Sequence, residues 1–347
     1  MNPEMLLSVI VPARNEADCI AQCLSSLVAQ SGPGLELGKD WEILCVNDDS
    51  DDATGEIAAG IAGVTVLQAE ELPEGWTGKN NAMWQGVQRA RGAKLLFSDA
   101  DTVHEEGSLR RALHEMEHSK AALLSYSPRQ IVRGFWQRAL MPLVFSELAC
   151  EYSPARVSDP RTTTAAANGQ YILVDRANYD EVGGHMAIAG EVLEDVALAL
   201  RFKRHGLKVV FRYAPEQVRT QMYRTNSAMI EGWTKNLALL FPHPIWLASM
   251  RKLDLLLIVG IPVLIWFLPR LTLTMPWQMV VLGVMWIYIL VRFYKRVLKS
   301  NFPVGDCLLA PIGVPLFVLL MWLSWSGLKL RKTVSWKGRD IDTSVMG

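Results

Sequence analysis

Hydrophobic and polar residues follow two different patterns along this chain, one on each side of residue 240. Before that point, short apolar runs alternate with segments whose apolar residues recur every three or four positions. The runs are typical of buried parallel strands, and the segments of amphipathic helices that cover such strands. The alternation predicts an α/β fold with a doubly wound, mostly parallel, Rossmann-like sheet.

The predicted strands are short and end in polar residues. We predict strands at residues 6–12, 41–46, 64–67, 94–97, 121–126, 171–174 and 208–212, and helices at residues 17–30, 80–91, 107–118, 131–151 and 195–205. The segment 131–151 mixes aromatic, aliphatic and arginine residues. That mixture fits a core helix or a helix at a membrane interface about equally well.

The second part of the chain has long apolar runs without a polar face, which is the pattern expected of transmembrane helices. We predict spans near residues 253–271, 276–294 and 307–328. The chain therefore divides into a cytosolic α/β domain, residues 1–240, and a membrane domain, residues 241–347. Proline and glycine interrupt the third run, so we expect it to be re-entrant, with the C-terminal tail returning to the cytoplasm.

Basic residues flank the first two predicted spans. Arg251 and Lys252 precede the first span, and the basic segment 292–299 follows the second. Because such residues favour the cytoplasmic side, we expect a multi-pass protein of the cell membrane with its α/β domain in the cytoplasm.

Composition narrows the possible partners and the compartment. The chain has 347 residues, 35 basic and 35 acidic side chains, and 50% hydrophobic residues. A net charge near zero gives no reason to expect a nucleic acid partner. The five cysteines lack metal-ligand spacing, and their odd number without a secretory signal fits a reducing cytosol.

Two carboxylates, Asp99 and Asp101, directly follow the predicted strand 94–97. Ligands of open α/β sheets bind just beyond the carboxyl ends of the strands. Two carboxylates crowded there favour a divalent cation, and their hard oxygens suit Mg²⁺ or Mn²⁺. An isolated Asp-x-Asp is equally often a helix cap followed by an acid in the first helical turn.

Other strand and helix ends add polar groups to the same edge. Residues 12–16 and 47–50 follow the first two strands, and a carboxylate there can accept the imide N–H of uracil. Lys79 begins a predicted helix, where backbone N–H groups favour phosphate. Glu194 and Asp195 begin another helix and are candidates for a catalytic base. A lone lysine is more often a surface residue, and a lone acid at a helix start is more often a cap.

Four ordered segments, residues 8–16, 46–54, 99–101 and 194–195, resemble the signatures of family 2 inverting glycosyltransferases with the GT-A fold. Further segments resemble the membrane-bound branch of that family. These are residues 75–82, 183–185, 232–236 and 336–339. That branch includes hopanoid-associated and carotenoid glycosyltransferases, and ceramide glucosyltransferase is a more distant relative.

The resemblance implies transfer of one sugar from a UDP-sugar to the hydroxyl of a lipid acceptor. Asp195 would be the general base, with Glu194 beside it. Asp101 would be the principal ligand of Mg²⁺ or Mn²⁺, and Asp99 would lie nearer the ribose and the donor sugar. The nucleotide-sugar site would comprise Pro12, Ala13, Arg14, Glu16, Asn47, Asp48, Lys79, Asp99, Ala100 and Asp101.

The chain departs from the family pattern at two places. Gln221 and Arg224 match half of a Gln-x-x-Arg-Trp element, and Thr225 stands where tryptophan is expected, although Trp233 follows. This departure argues against a processive polymerase and leaves Gln221, Arg224 and Trp233 as acceptor-side candidates. Asn47 and Asp49 replace the family's aspartate and glycine, which predicts nucleoside contacts that differ in detail.

Two alternatives come from other functional classes. Residues 97–103 also fit the Asp-x-Asp-x-Thr motif of haloacid-dehalogenase phosphatases, in which Asp99 would be the nucleophile. That motif normally opens its domain, whereas three strand–helix units precede it here. The other alternative is a non-catalytic membrane protein that binds a nucleotide sugar.

Overall fold

The computed structural model describes residues 5–271, 276–331, 333–336 and 339–342. Its contacts divide the chain into two units. The first contains Met1–Ile131, Tyr152–Met222 and Lys337–Gly347, and the second contains Val132–Glu151 and Tyr223–Trp336. Lys337 and Gly338, from the C-terminal motif used above, lie outside the described residues.

The regular elements alternate as the hydrophobic pattern predicts. The strands are β1 Met5–Ala13, β2 Trp41–Asn47, β3 Val64–Gln68, β4 Gly92–Phe97, β5 Thr102–His104, β6 Leu123–Ser127, β7 Arg129–Gln130, β8 Ile172–Asp175, β9 Val209–Tyr213, β10 Val218–Thr220, β11 Thr333–Trp336 and β12 Arg339–Asp342. The helices are α1 Ile20–Val28, α2 Thr54–Ala59, α3 Gly78–Arg89, α4 Ser108–Ser119, α5 Phe135–Glu151, α6 Pro154–Ser158, α7 Arg176–Glu181, α8 Glu194–Arg204, α9 Asn226–Asn236, α10 Pro244–Leu271, α11 Pro276–Val297, α12 Val304–Cys307 and α13 Ala310–Ser326.

A seven-stranded sheet with the order β3-β2-β1-β4-β8-β6-β9 forms the centre of the first unit. β8 runs antiparallel to both of its neighbours, and the other pairs are parallel. This topology confirms the predicted mostly parallel, doubly wound fold. The carboxyl ends of β1, β2 and β4 meet at one edge, where Ala13 pairs with Asn47 and Ile10 pairs with Phe97.

Apolar side chains on both faces of the sheet form the core of the first unit. On one face Ile20, Leu24 and Leu27 of α1 are buried against the sheet. On the other face α3 packs so closely on β1 that a Cβ on Gly86 would lie 2.6 Å from Ile10 Cγ2. Any side chain at this position would push α3, whose first residues contribute to the site, away from the sheet.

A second, three-stranded sheet of the first unit has the order β5-β10-β7. Its strands are two or three residues long, and we did not predict them because such short segments carry no measurable hydrophobic period. β5 pairs with β10 from Thr102 to His104. The sheet therefore fixes the backbone directly after Asp101.

The second unit is mostly helical and contains α5, α9 to α13 and the strand β11. Among the described residues, two helices are long and apolar enough to cross a membrane, Trp277–Ser300 and Ala310–Lys329. α13 is continuous through Pro315 and packs closely on α5, since a Cβ on Gly313 would lie 2.2 Å from the Ala139 carbonyl oxygen. The domain boundary at residue 240, the three spans and the re-entrant third segment stay predictions.

Candidate active site

Arg14 joins the ends of β1 and β2 at the carboxyl edge of the sheet. Its Nη1 donates to the carbonyl oxygens of Asp48, at 2.7 Å, and of Asp49, at 2.6 Å. The Asp48 amide donates to the Ala13 carbonyl at 2.8 Å, which continues the β1–β2 pairing beyond the strands. Arg14, predicted to bind the nucleotide sugar, therefore shapes the loop that carries Asp48.

The other predicted donor-site residues lie along this edge. Asn47 donates from Nδ2 to Gln68 Oε1 at 2.8 Å and accepts from Ser50 Oγ at 2.6 Å, so both ends of its amide are engaged. Glu16 donates its backbone N–H to Thr54 Oγ1 at 2.8 Å. Asp48 and Ala100 are buried, and Ala13 ends β1 directly after Pro12.

Asp99 and Asp101 follow β4 and create a strongly negative region. Burial, followed by the charges of Asp99 and Glu16, raises the pKa of Asp101 to about 7. Thr220 Oγ1 donates to the Asp101 carbonyl oxygen at 3.2 Å and thereby holds this turn. Carboxylates crowded in this way are unfavourable until a cation neutralises them.

The two carboxylates fit a divalent cation that takes its remaining ligands from elsewhere. Among the described residues there is no group of three or more histidine, cysteine, aspartate or glutamate side chains suited to a metal. Mg²⁺ commonly binds through one or two carboxylates, with water and substrate phosphates completing the shell. The donor set of Asp99 and Asp101 is of that kind.

Lys79 links the Asp99 side of the site to the start of α8. Its Nζ lies 2.7 Å from Asp99 Oδ1 and 2.6 Å from Glu194 Oε1. Burial lowers the pKa of Lys79, but Asp99 and Glu194 outweigh it and raise the pKa well above its usual value. Lys79 is therefore a positively charged centre between two carboxylates.

Glycine at position 169 leaves room at this centre. A Cβ there would lie 3.0 Å from Lys79 Nζ and 3.2 Å from Glu194 Oε1. The Gly169 amide also donates to Asp195 Oδ2 at 3.1 Å. We predicted no role for Gly169, because the Asn-Gly sequence before β8 indicates only a turn.

Asp195 lies beside this ion pair at the start of α8. Its Oδ1 accepts from the Val196 amide at 2.8 Å. Burial, followed by the charge of Glu194, raises the pKa of Asp195 to about 7. A carboxylate whose pKa lies near neutrality can both lose its proton and accept one from a substrate hydroxyl.

Asn80 fixes the loop that precedes Glu194 and Asp195. Its Nδ2 donates to the carbonyl oxygens of Ile188, at 2.8 Å, Ala189, at 2.9 Å, and Glu191, at 3.1 Å. The Thr77 amide donates to the Ala189 carbonyl at 2.9 Å. No local pattern indicates this role, because the donor and its acceptors are more than 100 positions apart.

Replacing Asn80 with alanine should destabilise the first unit, because three carbonyl groups lose a buried hydrogen-bond donor. An unsatisfied buried polar group lowers the free energy of unfolding by about 1–3 kcal/mol. Asn81→Ala is the matched control. Asn81 is also buried on α3, but its Nδ2 has one long contact, 3.5 Å to the Glu70 carbonyl. The measurements are thermal unfolding and amide hydrogen exchange over residues 186–192. Equal effects of the two variants on that loop would contradict the assignment.

The acceptor-side candidates are divided between the two units. Gln221 follows β10 in the first unit and is partly buried. In the second unit Arg224 is exposed, whereas Trp233 is buried in α9 and its Nε1 lies 3.3 Å from Met141 Sδ. Within its own unit, Trp233 is a core residue. The acceptor-side roles of these three residues stay predictions.

Comparison with known proteins identifies the domain that carries most of these residues. Residues 8–177 match the family described as Glycosyl transferase family 2. A relative, the 4,4'-diaponeurosporenoate glycosyltransferase of Staphylococcus aureus (strain USA300), is 28% identical over 244 residues. That alignment covers 67% of this chain and 60% of the relative, so the chain spans less than two thirds of the relative's length.

Solved structures provide a second comparison. The mannosyltransferase from Pyrobaculum calidifontis, in complex with GDP-Man and Mn²⁺, has a TM-score of 0.51 at 14% identity and covers 94% of this chain and 87% of that one. Glucosyl-3-phosphoglycerate synthase from Mycobacterium tuberculosis, in complex with Mn²⁺, UDP-Glc and phosphoglyceric acid, has a TM-score of 0.45 at 17% identity, with 68% and 78% covered. The first likeness supports the GT-A fold.

The family match includes Lys79, Asp99 and Asp101 and ends before Glu194 and Asp195. It favours a transferase over a phosphatase, since β4 and the two carboxylates after it lie within the residues that match a glycosyltransferase family. Residues 8–177 of this chain therefore belong to glycosyltransferase family 2.

Proposed function

We propose that this chain is an inverting glycosyltransferase that moves one sugar from a UDP-sugar to the hydroxyl of a lipid at the membrane surface. The observation that carries the proposal is the position of Lys79, 2.7 Å from Asp99 and 2.6 Å from Glu194. This contact brings a carboxylate pair suited to the donor diphosphate next to a carboxylate pair suited to proton transfer.

Residues at the ends of β1 and β2 bind the nucleoside in this proposal. Asp48 accepts the imide N–H of uracil, and Arg14 keeps the Asp48 loop in the shape that allows this contact. Glu16 and Asn47 complete the nucleoside side. Lys79, which carries a positive charge, attracts the diphosphate toward the carboxyl edge of the sheet.

Asp99 and Asp101 would hold Mg²⁺ or Mn²⁺, and the bound cation would supply positive charge for the leaving diphosphate. The two carboxylates suit a cation because burial and the neighbouring negative charges raise the pKa of Asp101 to about 7. A cation that replaces the proton on Asp101 would relieve this repulsion between negative charges.

Asp195 acts as the general base. It takes the proton of the acceptor hydroxyl while that oxygen attacks the anomeric carbon, and direct displacement inverts the configuration. The Gly169 and Val196 amides orient the carboxylate. Glu194 instead forms an ion pair with Lys79, so we assign Glu194 a positioning role.

Exposed apolar surface on the second unit motivates the lipid acceptor and the membrane location. Large apolar side chains are exposed along α10 and α11, among them Val259, Val263, Trp266, Trp277, Val280, Val284 and Ile287. Many large apolar side chains exposed on the same two helices are typical of contact with lipid. The relative named for diaponeurosporenoate, a carotenoid acid, points the same way. Hopanoids, sphingolipids and polyisoprenoids are acceptors of similar character, reached from the cytoplasmic face of the cell membrane.

The proposal is tested by incubating the purified full chain with labelled UDP-sugars, Mn²⁺ and a lipid extract of the host. We expect label in a monoglycosylated lipid. Label confined to a long polymer, or to free sugar in the presence of every lipid fraction, would contradict the proposal. Hydrolysis of p-nitrophenyl phosphate without any transfer would instead support the phosphatase alternative.

A further inference from the structure

Five charged side chains collect where three helices of the second unit meet. α5 contributes Glu147, α10 contributes Arg251 and Asp254, and α11 contributes Arg292 and Arg296. Arg251 Nη1 lies 2.8 Å from Asp254 Oδ2 and 3.6 Å from Glu147 Oε1. Arg296 Nη1 lies 2.7 Å from Glu147 Oε2, and Arg292 Nη2 forms an ion pair with Asp254 Oδ1.

This cluster has one positive charge more than it has negative charges. Glu147, Arg251 and Asp254 are buried, and burying charge is costly unless it is paired and fully hydrogen-bonded. The Arg251 Nε donor has no hydrogen-bond partner among the described residues. Glu147 Oε1 and Asp254 Oδ2 also lack a hydrogen bond there, but both face Arg251 in ion pairs. The unbalanced charge is therefore cationic.

The two arginines of α11 form the exposed side of the cluster. The side chain of Arg292 is 54% exposed and that of Arg296 is 35% exposed, and they are one helical turn apart. Each contacts a buried carboxylate through a terminal guanidinium nitrogen, which fixes the orientation of the planar group. A guanidinium has five N–H donors, so others remain for an anion outside.

The cluster lies toward one end of the exposed apolar surface of two helices. On α10 most exposed apolar residues follow the cluster, although Ile245 and Trp246 precede it, whereas on α11 most of them precede the cluster. Trp286 Nε1 of α11 donates to the Ile258 carbonyl of α10 at 2.8 Å, beside the Arg292–Asp254 pair, so the two helices are antiparallel there. Lys295 and Lys299 are exposed at the same end.

We propose that Arg292 and Arg296 bind the phosphate of an anionic membrane lipid, with Asp254 and Glu147 holding the two guanidiniums in place. The apolar surface provides the place for the acyl chains, and the end of that surface is where head-group phosphates lie in a bilayer. Planar guanidiniums bind phosphate in a fixed geometry, unlike lysine ammonium groups. The inference depends on the proposed function only for its membrane location, because it requires no sugar transfer.

Native mass spectrometry of the full chain in detergent tests the site directly. The probes are phosphatidylglycerol and phosphatidylcholine with identical acyl chains. We expect preferential retention of phosphatidylglycerol, and a loss of roughly tenfold in its affinity in the Arg292→Gln/Arg296→Gln variant, since each basic group contributes several-fold. Lys295→Gln/Lys299→Gln, which removes the same charge from the same region, should lose clearly less.

A second variant controls for misfolding, because glutamine removes one of the two arginine partners of Asp254 and of Glu147 and leaves Arg251 facing both carboxylates. Arg292→Lys/Arg296→Lys keeps both charges and should still lose affinity for phosphatidylglycerol. Equal losses in the arginine-to-glutamine and lysine-to-glutamine variants, or equal retention of the two lipids, would overturn the site. Displacement of the lipid by millimolar inorganic phosphate would also overturn it and would indicate a site for free phosphate. Lipid retention is measured without turnover, so its failure is distinct from failure of the transferase assay.

Discussion

Replacing Asp195 with asparagine should lower the turnover of sugar transfer by roughly 10²–10⁴-fold, the usual contribution of a general base. Asparagine keeps the size of the side chain but cannot accept the acceptor's proton. The affinity for UDP should stay nearly unchanged, because Lys79, which we propose attracts the diphosphate, forms its ion pairs with Asp99 and Glu194 and not with Asp195. The measurements are kcat with the identified lipid acceptor and the dissociation constant of UDP by calorimetry.

The pH dependence of kcat gives a second test of the base. Burial raises the pKa of Asp195 to about 7, so below that pH the carboxyl is protonated and cannot accept a proton. At saturating Mn²⁺, turnover should therefore rise with pH up to about 7 and then level, and the Asp195→Asn variant should lose this dependence. Glu194→Gln is the matched control. It should keep most of the turnover at saturating donor, because Glu194 forms an ion pair with Lys79 and takes no proton from the acceptor. The opposite result would assign the base to Glu194.

Removing the divalent cation, or replacing its ligand by Asp101→Asn, should abolish most activity, with a loss on the order of 10²-fold or more. Both changes remove the positive charge that stabilises the leaving diphosphate. The measurement is activity during titration of Mn²⁺ into protein stripped with EDTA. Because a proton competes for Asp101, whose pKa is raised to about 7, the apparent Mn²⁺ affinity should fall as the pH drops below 7.

Asp18→Asn is a suitable control for Asp101→Asn, because Asp18 is an exposed carboxylate just before α1. It should leave the Mn²⁺ titration unchanged. Full activity of the stripped wild-type protein would show that Asp99 and Asp101 serve another purpose, and it would contradict metal-assisted departure of the diphosphate.

The main sheet and its carboxyl edge were predictable because each strand carries its own local pattern. β1, β2 and β4 are apolar runs that end in polar residues, so the meeting of Asp48 with Asp99 and Asp101 at one edge follows from parallel pairing alone. The small sheet of β5, β10 and β7 was not predictable. Its strands are too short to have a period, and its pairing joins segments more than 85 positions apart.

The contacts among the candidate site residues were harder to predict from the sequence than the candidates themselves. Lys79 and Glu194 were both candidates, but their ion pair depends on how α3 and α8 pack on the same face of the sheet. No local pattern encodes that distance. Arg251 and Arg292 illustrate the same limit in the second unit, since we used them only to orient the chain in a membrane. Their pairing with Asp254 depends on the packing of α10 against α11.

The reversed direction of β8 determines which loops can reshape the site. The parallel strands leave the sheet at the carboxyl edge, but the chain enters β8 there, since Ile172 pairs with Phe97 at the end of β4. Residues 159–169 therefore lead into the site, and Gly169 arrives beside Lys79. Insertions in that segment would change the space available to an acceptor, whereas insertions at the opposite edge, before β4 or after β8, would lie away from the carboxyl edge. Differences in acceptor choice among related enzymes should accordingly include differences in the entry to this strand.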